Sequence, residues 1–266
     1  MNKHFILKFL GKKGRIMKRF YSNNSSGSKK TAVSLTLILI CVALLIAGVI
    51  LLLIEPIKRY NRKKITSDAV SVIESDIATA ASTTTDTNST ESSDTTEPRI
   101  TYIVPAKGNE VEGEEYDFIG ETEEYYQESV VLNSIGILSI NKIGIRYPVW
   151  DEATLVSLRY GLGHYEDSVM PGEIGNSTIF GHNNRDGSMF QRLWEVEIGD
   201  EVVFTNLDGE DLTFYVVDTV VISAEDILDY TLGDITDERQ LTLITCTYID
   251  GESGFRRIVI CQLAED

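Results

Sequence analysis

The sequence has only three cysteines and three histidines, and over most of its length it has few positive charges. The cysteines are Cys41, Cys246 and Cys261. Their odd number, and the position of Cys41 within an apolar run, argue against a disulfide framework. Three histidines without a cysteine pair argue against a zinc site. Acids are plentiful, yet no EF-hand spacing appears, so calcium has weak support and we expect no cofactor or metal.

Charge is distributed unevenly along the chain. Residues 1–66 hold 14 Lys/Arg and the single acid Glu55, a net charge of +13. Residues 67–266 hold 10 Lys/Arg and 40 Asp/Glu, a net charge of −30, so the whole chain carries −17. The acidic part lacks the basic face that phosphate contacts require, which excludes nucleic acid as a partner. The basic part lies beside an apolar run and fits an anionic membrane surface.

Residues 31–54 form an uncharged, mostly apolar run. At about 1.5 Å per residue, a helix of this length crosses a hydrocarbon core of roughly 30 Å. The run is too long for a signal peptide, and no small-x-small cleavage site follows it at the right distance. Residues 12–30, just before it, hold seven Lys/Arg, and residues 58–64, just after it, hold five; an acidic Ser/Thr-rich segment comes next. We therefore predict a single-pass protein of the cell membrane, with a cytoplasmic N-terminus and an extracellular C-terminal domain.

The composition divides the chain into four predicted parts. These are a cytoplasmic basic tail (1–30), a transmembrane helix (31–54), a basic juxtamembrane segment with a flexible acidic spacer (55–133), and a folded domain (134–266). Residues 66–99 are rich in Ser, Thr, Asp and Ala and have too few large apolar groups to offset the entropy of ordering. Residues 110–128 hold nine acids, which indicates a solvated segment; a lid over an active groove stays an alternative.

From residue 134 onwards the pattern is that of a β protein. Short apolar strands are predicted at 135–140, 145–150, 177–181, 200–205, 212–222, 241–248 and 256–261, and residues 206–209 form a hairpin signal. Residues 151–160 predict one short helix, with Asp151 as its N-cap. Met189 and Phe190 are expected in the core. Many short strands with few helices predict an all-β fold, a closed or nearly closed barrel.

Three predicted strands present reactive side chains at their ends. One strand runs into Cys246, an earlier one ends at His182, and the last opens with two arginines. A thiolate is a strong nucleophile, and an imidazole can protonate the amine that leaves a peptide carbonyl. A guanidinium stays charged and can donate hydrogen bonds to an oxyanion. The set predicts acyl transfer by a cysteine nucleophile.

Each of these residues has a competitor in the sequence. Cys261 lies in the middle of a strand, where we expect inert packing. His164 lies among glycines in a predicted loop, whereas His182 directly follows a strand and is favoured. The alternative is that none of the three residues is catalytic: the cysteine is a buried apolar residue, the histidine a loop residue and the arginine a surface cation.

The two arginines cannot both face the thiol. Side chains alternate along a strand, so Arg256 and Arg257 point to opposite faces and only one faces Cys246. Arg257 is followed directly by three β-branched residues, Ile258-Val-Ile260. This pattern favours Arg257 over Arg256 as the residue that faces Cys246.

The motif Thr242-Leu-Ile-Thr-Cys246, followed by Arg257-Ile-Val-Ile260 and preceded by Gly181-His-Asn183, resembles the sortase family. The resemblance covers about residues 134–263, half of the chain. It implies a membrane-anchored cysteine transpeptidase of Gram-positive bacteria, built on a closed eight-stranded β-barrel. Carried over, Cys246 is the nucleophile, His182 the general acid/base and Arg257 the stabiliser of the oxyanion and substrate.

The resemblance also implies a substrate. Sortases cut an LPxTG-like sorting signal between Thr and Gly and pass the acyl group to an amine of a peptidoglycan precursor or a pilin lysine. Residues 181–190 are similar to class B members, whereas Gly161-Leu-Gly-His-Tyr165 and the loop at 171–173 are similar to class D. The subclass, the exact signal and the acceptor stay open. A surface thiol hydrolase that uses water, and a non-catalytic surface binding module, are the alternatives.

Overall fold

The computed structural model describes residues 26–83, 100–110, 127–232 and 237–264, and within the first helix the side chains of residues 35–79. By its contacts the chain divides into two units, residues 1–57 and 58–266. The predicted tail up to residue 25, the predicted spacer at 84–99 and most of the acidic segment, 111–126, lie outside the described residues. The four predicted domain ranges and the lid alternative therefore stay predictions.

Eight strands of the second unit form a closed ring, so the predicted all-β barrel is confirmed. The described residues contain nine strands, of which β2 to β9 form the ring: β1 (Ile100–Pro105), β2 (Ser129–Ile140), β3 (Ile145–Trp150), β4 (Leu162–His164), β5 (Gly175–Phe180), β6 (Glu201–Asn206), β7 (Asp211–Ser223), β8 (Arg239–Ile249) and β9 (Glu252–Leu263). Their order around the ring is β2-β3-β4-β5-β8-β9-β7-β6, and pairing of β6 with β2 closes it. Two neighbour pairs, β3–β4 and β5–β8, are parallel, and the others are antiparallel.

A ninth strand lies outside the ring. β1 pairs antiparallel with the first half of β2, from Ile100 opposite Ser134 to Pro105 opposite Ser129. The sequence pattern first becomes clearly β-like at residue 134. The β structure begins earlier, with β1 and the first half of β2.

The described helices are few and, apart from the first, short. They are α1 (Ser26–Thr83), α2 (Ser157–Tyr160) and α3 (Leu228–Thr231), with 3-10 turns at Asn141–Ile143, Leu193–Glu195 and Ala224–Asp226. Of the helix predicted over residues 151–160, only the last turn, α2, is helical in the structure. Thr154 and Ser157 exchange hydrogen bonds, Thr154 N to Ser157 Oγ at 2.8 Å and Ser157 N to Thr154 Oγ1 at 3.1 Å. This local exchange, and not Asp151, precedes the helical turn.

Alternation along the strands divides the apolar side chains between two faces. The barrel interior holds Leu243, Val259 and Cys261, and the expected core residues Met189 and Phe190 are buried there. The outer face holds a separate cluster that includes Phe180, Ile244 and Ile258, beneath α2 and α3 side chains. Because side chains of one strand alternate, residues two positions further along share the same face. A residue two positions from a member of the outer cluster, on the same strand, therefore also lies on the outer face of the barrel.

In the first unit, α1 exposes large apolar side chains on all sides from Leu35 to Ile54. Among the described residues, α1 is long and apolar enough to cross a bilayer. This is the segment predicted from the sequence at 31–54.

In the second unit, α1 continues from Lys58 and packs on the barrel. Ile65 and Ala69 contact a core cluster with Trp150 and Tyr160, and Ile73 is buried one helical turn further. Thr66 Oγ1 donates a hydrogen bond to the carbonyl oxygen of Tyr160 at 3.0 Å. The expectation of a flexible spacer is therefore wrong for residues 66–83. A stripe of small and β-branched side chains every fourth residue suffices, because the barrel supplies the rest of the apolar surface.

We expect Ile73→Ala to destabilise the second unit by about 2–5 kcal/mol, because it leaves a cavity at a side chain that is 1% exposed. The matched variant Val72→Ala changes an adjacent side chain that is 38% exposed and should cost less than about 0.5 kcal/mol. Thermal unfolding followed by tryptophan fluorescence measures both variants. Equal stability of the two variants would mean that this half of α1 contributes nothing to the fold.

Candidate active site

Cys246, His182 and the two arginines converge at one edge of the barrel. β5 and β8 are parallel neighbours, with Phe180 opposite Ile244, so their carboxyl ends open at the same edge. β9 is antiparallel to β8 and begins at that edge. The sheet topology thus brings His182 close to Cys246, which is 64 positions later in the sequence, and to the arginines at the start of β9.

The main chain on both sides of His182 is bonded to the cysteine strand. Gly181 N donates to the carbonyl oxygen of Ile244 at 3.1 Å, and Thr245 Oγ1 donates to the carbonyl oxygen of Gly181 at 2.7 Å. Asn183 Nδ2 donates to the carbonyl oxygen of Cys246 at 2.7 Å. These three bonds extend the β5–β8 pairing beyond the end of β5 and fix His182 beside Cys246.

The position before the histidine requires glycine. A Cβ on Gly181 would lie 2.6 Å from Phe190 Cδ2 and 2.7 Å from Leu162 Cδ2, far inside van der Waals contact. The following loop turns back at once, since Phe190 N donates to the carbonyl oxygen of His182 at 3.0 Å. Close packing and this bond hold the backbone of His182 in one place, as a catalytic group requires.

Side-chain alternation places the thiol, the imidazole and one guanidinium on the same face. Phe180, Ile244 and Ile258 meet in the outer cluster. Two positions closer to the open edge lie His182 (after Phe180), Cys246 (after Ile244) and Arg256 (before Ile258). Arg256 is the direct cross-strand partner of Cys246, and directly opposed residues share a face.

The register places the other arginine on the opposite face. Arg257 is paired with Thr245, whose side chain lies on the barrel-interior side of β8. The structure therefore contradicts the preference for Arg257 over Arg256 as the residue that faces Cys246. Arg257 is half-buried, and its Nε has no hydrogen-bond partner among the described residues. Arg256 is 6% exposed and donates from Nη1 to the carbonyl oxygen of Phe255 at 3.0 Å.

His164 has a structural position instead. It ends β4, is buried, and its Nε2 lies 2.9 Å from the carbonyl oxygen of Val169 and 3.1 Å from Ser168 Oγ. These contacts hold the loop after β4. Burial lowers the pKa of His164, although the hydrogen bonds to Val169 and Asp151 and the charge of Asp151 oppose this shift.

The lowered pKa of His164 predicts a loss of stability in acid. The unfolded chain protonates this ring near its usual value of 6.5, whereas the folded chain does so only at lower pH. Below about pH 6.5 the unfolded state thus binds more protons, and the free energy of unfolding falls as pH falls. Denaturant unfolding between about pH 7.5 and 5.5 should show a steeper decline for the wild type than for His164→Gln. Parallel declines would rule out this contribution.

The two cysteines of the second unit have different environments. Cys246 is partly exposed at the edge of the barrel. Cys261 is buried in the interior cluster, and burial raises the pKa of its thiol. A thiol with a raised pKa is not ionised at neutral pH and is a poor nucleophile. Cys261 packs in the barrel interior, as its position in the middle of a strand predicts, and we expect its thiol to be inert.

The described acids do not assemble a cation site. A cavity of about 750 Å³ beside the loop after β4 is lined by Asp151, Glu152, Glu166, Glu173 and Asp208, among others. In the described ranges, however, no group of three or more His, Cys, Asp or Glu side chains could hold a metal ion. The weak expectation of calcium gains no set of ligands from these residues.

Comparison with protein families identifies residues 138–264 as a match to the family described as a sortase domain. The matched segment contains seven strands of the ring completely and the last three residues of β2, 138–140. It also contains the three strand ends that meet at the candidate site.

Comparison with individual proteins gives relatives of the same kind. Sortase D of Bacillus subtilis (strain 168) is 33% identical over 111 residues, which are 42% of this chain and 53% of the relative, so the chain spans about half the length of that relative. A sortase D5 transpeptidase of Clostridium perfringens is 31% identical, with a TM-score of 0.44, over 50% of this chain and 79% of that one. A sortase C of Clostridium perfringens, solved with the C-terminal cell wall sorting motif, is 24% identical, with a TM-score of 0.44, over 50% and 71%.

Proposed function

The domain of residues 138–264 belongs to the sortase family, and from this premise we propose that the protein is a membrane-anchored cysteine transpeptidase. It cleaves an LPxTG-like sorting signal and transfers the acyl group to an amine of a peptidoglycan precursor or a pilin lysine. The observation that carries the proposal is the convergence of Cys246, His182 and Arg256 on one face at one edge of the barrel.

The chemistry proceeds through a thioester. The thiolate of Cys246 attacks the scissile carbonyl carbon, and the carbonyl oxygen becomes an oxyanion. When the intermediate collapses, the C–N bond breaks and protonated His182 gives its proton to the leaving amine. An incoming amine then attacks the thioester and loses a proton to His182, and the thiolate leaves with the bonding electrons. The new amide replaces the one that was cleaved.

The oxyanion is assigned to Arg256. A guanidinium remains charged throughout the reaction and offers several N–H donors in a fixed plane. Arg256 is the cross-strand partner of Cys246, so its side chain extends over the same surface as the sulfur. Burial of Arg256 strengthens its electrostatic effect, because less water surrounds the charge.

We assign the anchor to the apolar part of α1. The exposed apolar side chains of residues 35–54 support insertion into a bilayer, and the acidic domain after it supports an extracellular position. The N-terminus is then cytoplasmic. The 33% identity with a sortase D over 111 residues favours a class D signal over a class B signal.

The full chain, purified in nonionic detergent, tests the function with a small library of LPxTG-like pentapeptide signals and triglycine as the amine. Mass spectrometry should detect the N-terminal part of the sorting signal, up to its Thr, joined to triglycine. It should also detect that part as a thioester adduct on Cys246. Products hydrolysed in equal amounts with and without triglycine would instead identify a thiol hydrolase. Absence of any cleaved peptide, together with failure of a thiol-reactive probe to label Cys246, would favour the binding module.

A further inference from the structure

The loop at residues 183–189, which directly follows His182, closes on itself. Asn183 and Met189 form an isolated antiparallel bridge, so the two ends of the loop lie side by side. Asn183 Nδ2 also donates to the carbonyl oxygen of Cys246 at 2.7 Å. A change in the shape of this loop is therefore transmitted to the main chain beside both reacting side chains.

Met189, at the end of this loop, adopts a backbone conformation that is uncommon for a residue with a side chain. Its φ is 54°, in the left-handed region. The side chain of Met189 is 3% exposed and packs in the barrel interior. A strained conformation persists only where the surrounding contacts over-determine it. The contacts of Met189 and of its neighbours in the loop therefore decide the shape of the loop.

One of these contacts comes from β3. Tyr147 packs against the interior cluster, and its hydroxyl oxygen accepts a hydrogen bond from Met189 N at 3.1 Å. Burial raises the pKa of Tyr147, the bond from Met189 N opposes this shift, and the charge of Asp186 adds to it, so the hydroxyl is uncharged at neutral pH. Removal of this oxygen would leave a buried N–H without the partner that it has in the structure, which is unfavourable. The loop would then relax toward a conformation in which this N–H finds another acceptor.

A second set of contacts lies inside the loop. Asp186 Oδ1 accepts hydrogen bonds from Ser188 N at 3.1 Å and from Ser188 Oγ at 2.5 Å, and Asn184 Nδ2 donates to Ser188 Oγ at 3.0 Å. Although burial would raise the pKa of Asp186, the hydrogen bonds from Ser188 and two nearby cations hold this pKa below its usual value. Asp186 is thus an ionised acceptor that fixes the residue directly before Met189.

We propose that Tyr147 and Asp186 are positioning residues for the acyl transfer. Each is a hydrogen-bond acceptor that holds the loop at residues 183–189 in its strained shape, and this shape keeps His182 beside Cys246. Both residues act through His182 and not on the substrate. The inference rests on the proposed function, because it assigns both residues to the same reaction at the same edge of the barrel.

The most conservative test is Tyr147→Phe, which removes a single oxygen atom. We expect kcat for signal cleavage by the full chain to fall about tenfold to hundredfold, since a displacement of about 1 Å in a catalytic group can cost 10²-fold in rate. KM should change little, because the lost contact does not involve the bound signal. The matched control is Tyr160→Phe, since the Tyr160 hydroxyl is also hydrogen-bonded, to the carbonyl oxygen of Pro105 and to Asn109 Nδ2, but in a separate cluster. It should retain the wild-type kcat.

Two substitutions of Asp186 separate its oxygen from its charge. Asp186→Ala removes the acceptor, and we expect kcat to fall about tenfold to hundredfold, as for Tyr147→Phe. Asp186→Asn keeps an oxygen that can accept from Ser188 and removes only the charge, so it should recover most of the lost kcat. Melting temperatures of all four variants identify any that unfold.

Alkylation of Cys246 by iodoacetamide gives a second measurement, which needs no sorting signal. A thiolate is the reactive form, and an imidazolium held beside it favours that form. Tyr147→Phe and Asp186→Ala should therefore slow alkylation at neutral pH by roughly tenfold, the effect of losing the adjacent imidazolium. Loss of the negative charge of Asp186 alone would have the opposite effect, because it favours the thiolate.

The two measurements separate this inference from the proposed function. If the wild type cleaves no signal, the proposed function fails, and the order of alkylation rates alone decides whether the loop positions His182. Wild-type rates of cleavage and alkylation in Tyr147→Phe would overturn the positioning role. A loss in Tyr160→Phe as large as that in Tyr147→Phe, or equal losses in Asp186→Ala and Asp186→Asn, would also overturn it.

Discussion

A Cys246→Ala variant is expected to lose thioester formation and signal cleavage completely, a fall of at least about 10⁴-fold in the rate of cleavage. Cys246 is the thiol at the edge where β5, β8 and β9 open together, with the main chain around His182 bonded to its strand. Alanine removes only the sulfur from a partly exposed position, so the fold should be unchanged. Single-turnover cleavage of a fluorogenic signal peptide by the full chain measures the effect.

The control for this variant is Cys261→Ala. Cys261 lies on the same sheet but in the barrel interior, where burial raises the pKa of its thiol. We expect this variant to cleave at the wild-type rate and to lose about 1 kcal/mol of stability through lost packing. A thiol-reactive probe at neutral pH should accordingly label Cys246 and leave Cys261 unmodified. Cleavage that survives Cys246→Ala, or disappears in Cys261→Ala without unfolding, would refute the assignment of the nucleophile.

The barrel was predictable because its evidence is local. Short alternating or β-branched runs separated by turn residues identify most of the strands, and the hairpin signal at residues 206–209 correctly predicted the connection between β6 and β7. The burial of Met189 and Phe190 follows from their apolar character alone. A composition rich in Ser, Thr and Ala, by contrast, gave the wrong expectation for residues 66–83. Their packing depends on a partner surface, around Trp150 and Tyr160, that is distant in the sequence.

The site residues were predictable in kind, but the face of the arginine was not. Thr247 is opposite Phe255, whereas Ile249 is opposite Glu252, so one extra residue is inserted in β9 near the β8–β9 turn. If the pairing nearest the turn continued unbroken, Cys246 would face Phe255, and Arg257 would share its side of the sheet. The bulge shifts the register by one residue and brings Arg256 opposite Cys246. A one-residue shift exchanges the two faces of a strand, and the mark of this bulge in the sequence is a single glycine, Gly254, which has a φ of 96°.

The second large effect follows from this register. We expect Arg256→Gln to lower kcat for signal cleavage by about 10²–10³-fold, the usual loss when a donor to an oxyanion is removed. Arg257→Gln removes the same charge one residue away, on the face opposite to Cys246. Its effect should stay below about tenfold, because a charge that does not touch the reacting carbonyl acts only through distance. Steady-state kcat and KM of the two variants, measured with one peptide and one amine, give the comparison.

Unfolding must be separated from catalysis in this comparison, because Arg256 is 6% exposed and its loss also disturbs packing. Arg256→Lys keeps the positive charge and most of the stem, so it should retain the fold but recover only part of kcat, since an ammonium lacks the planar fork. Melting temperatures of all three variants identify any that unfold. If Arg257→Gln shows the larger loss of kcat at equal stability, the oxyanion is stabilised from the interior side of β8. The alternation of side chains would then place Cys246 and its cation on different faces, and the attack would have to occur across the strand end instead of over one surface.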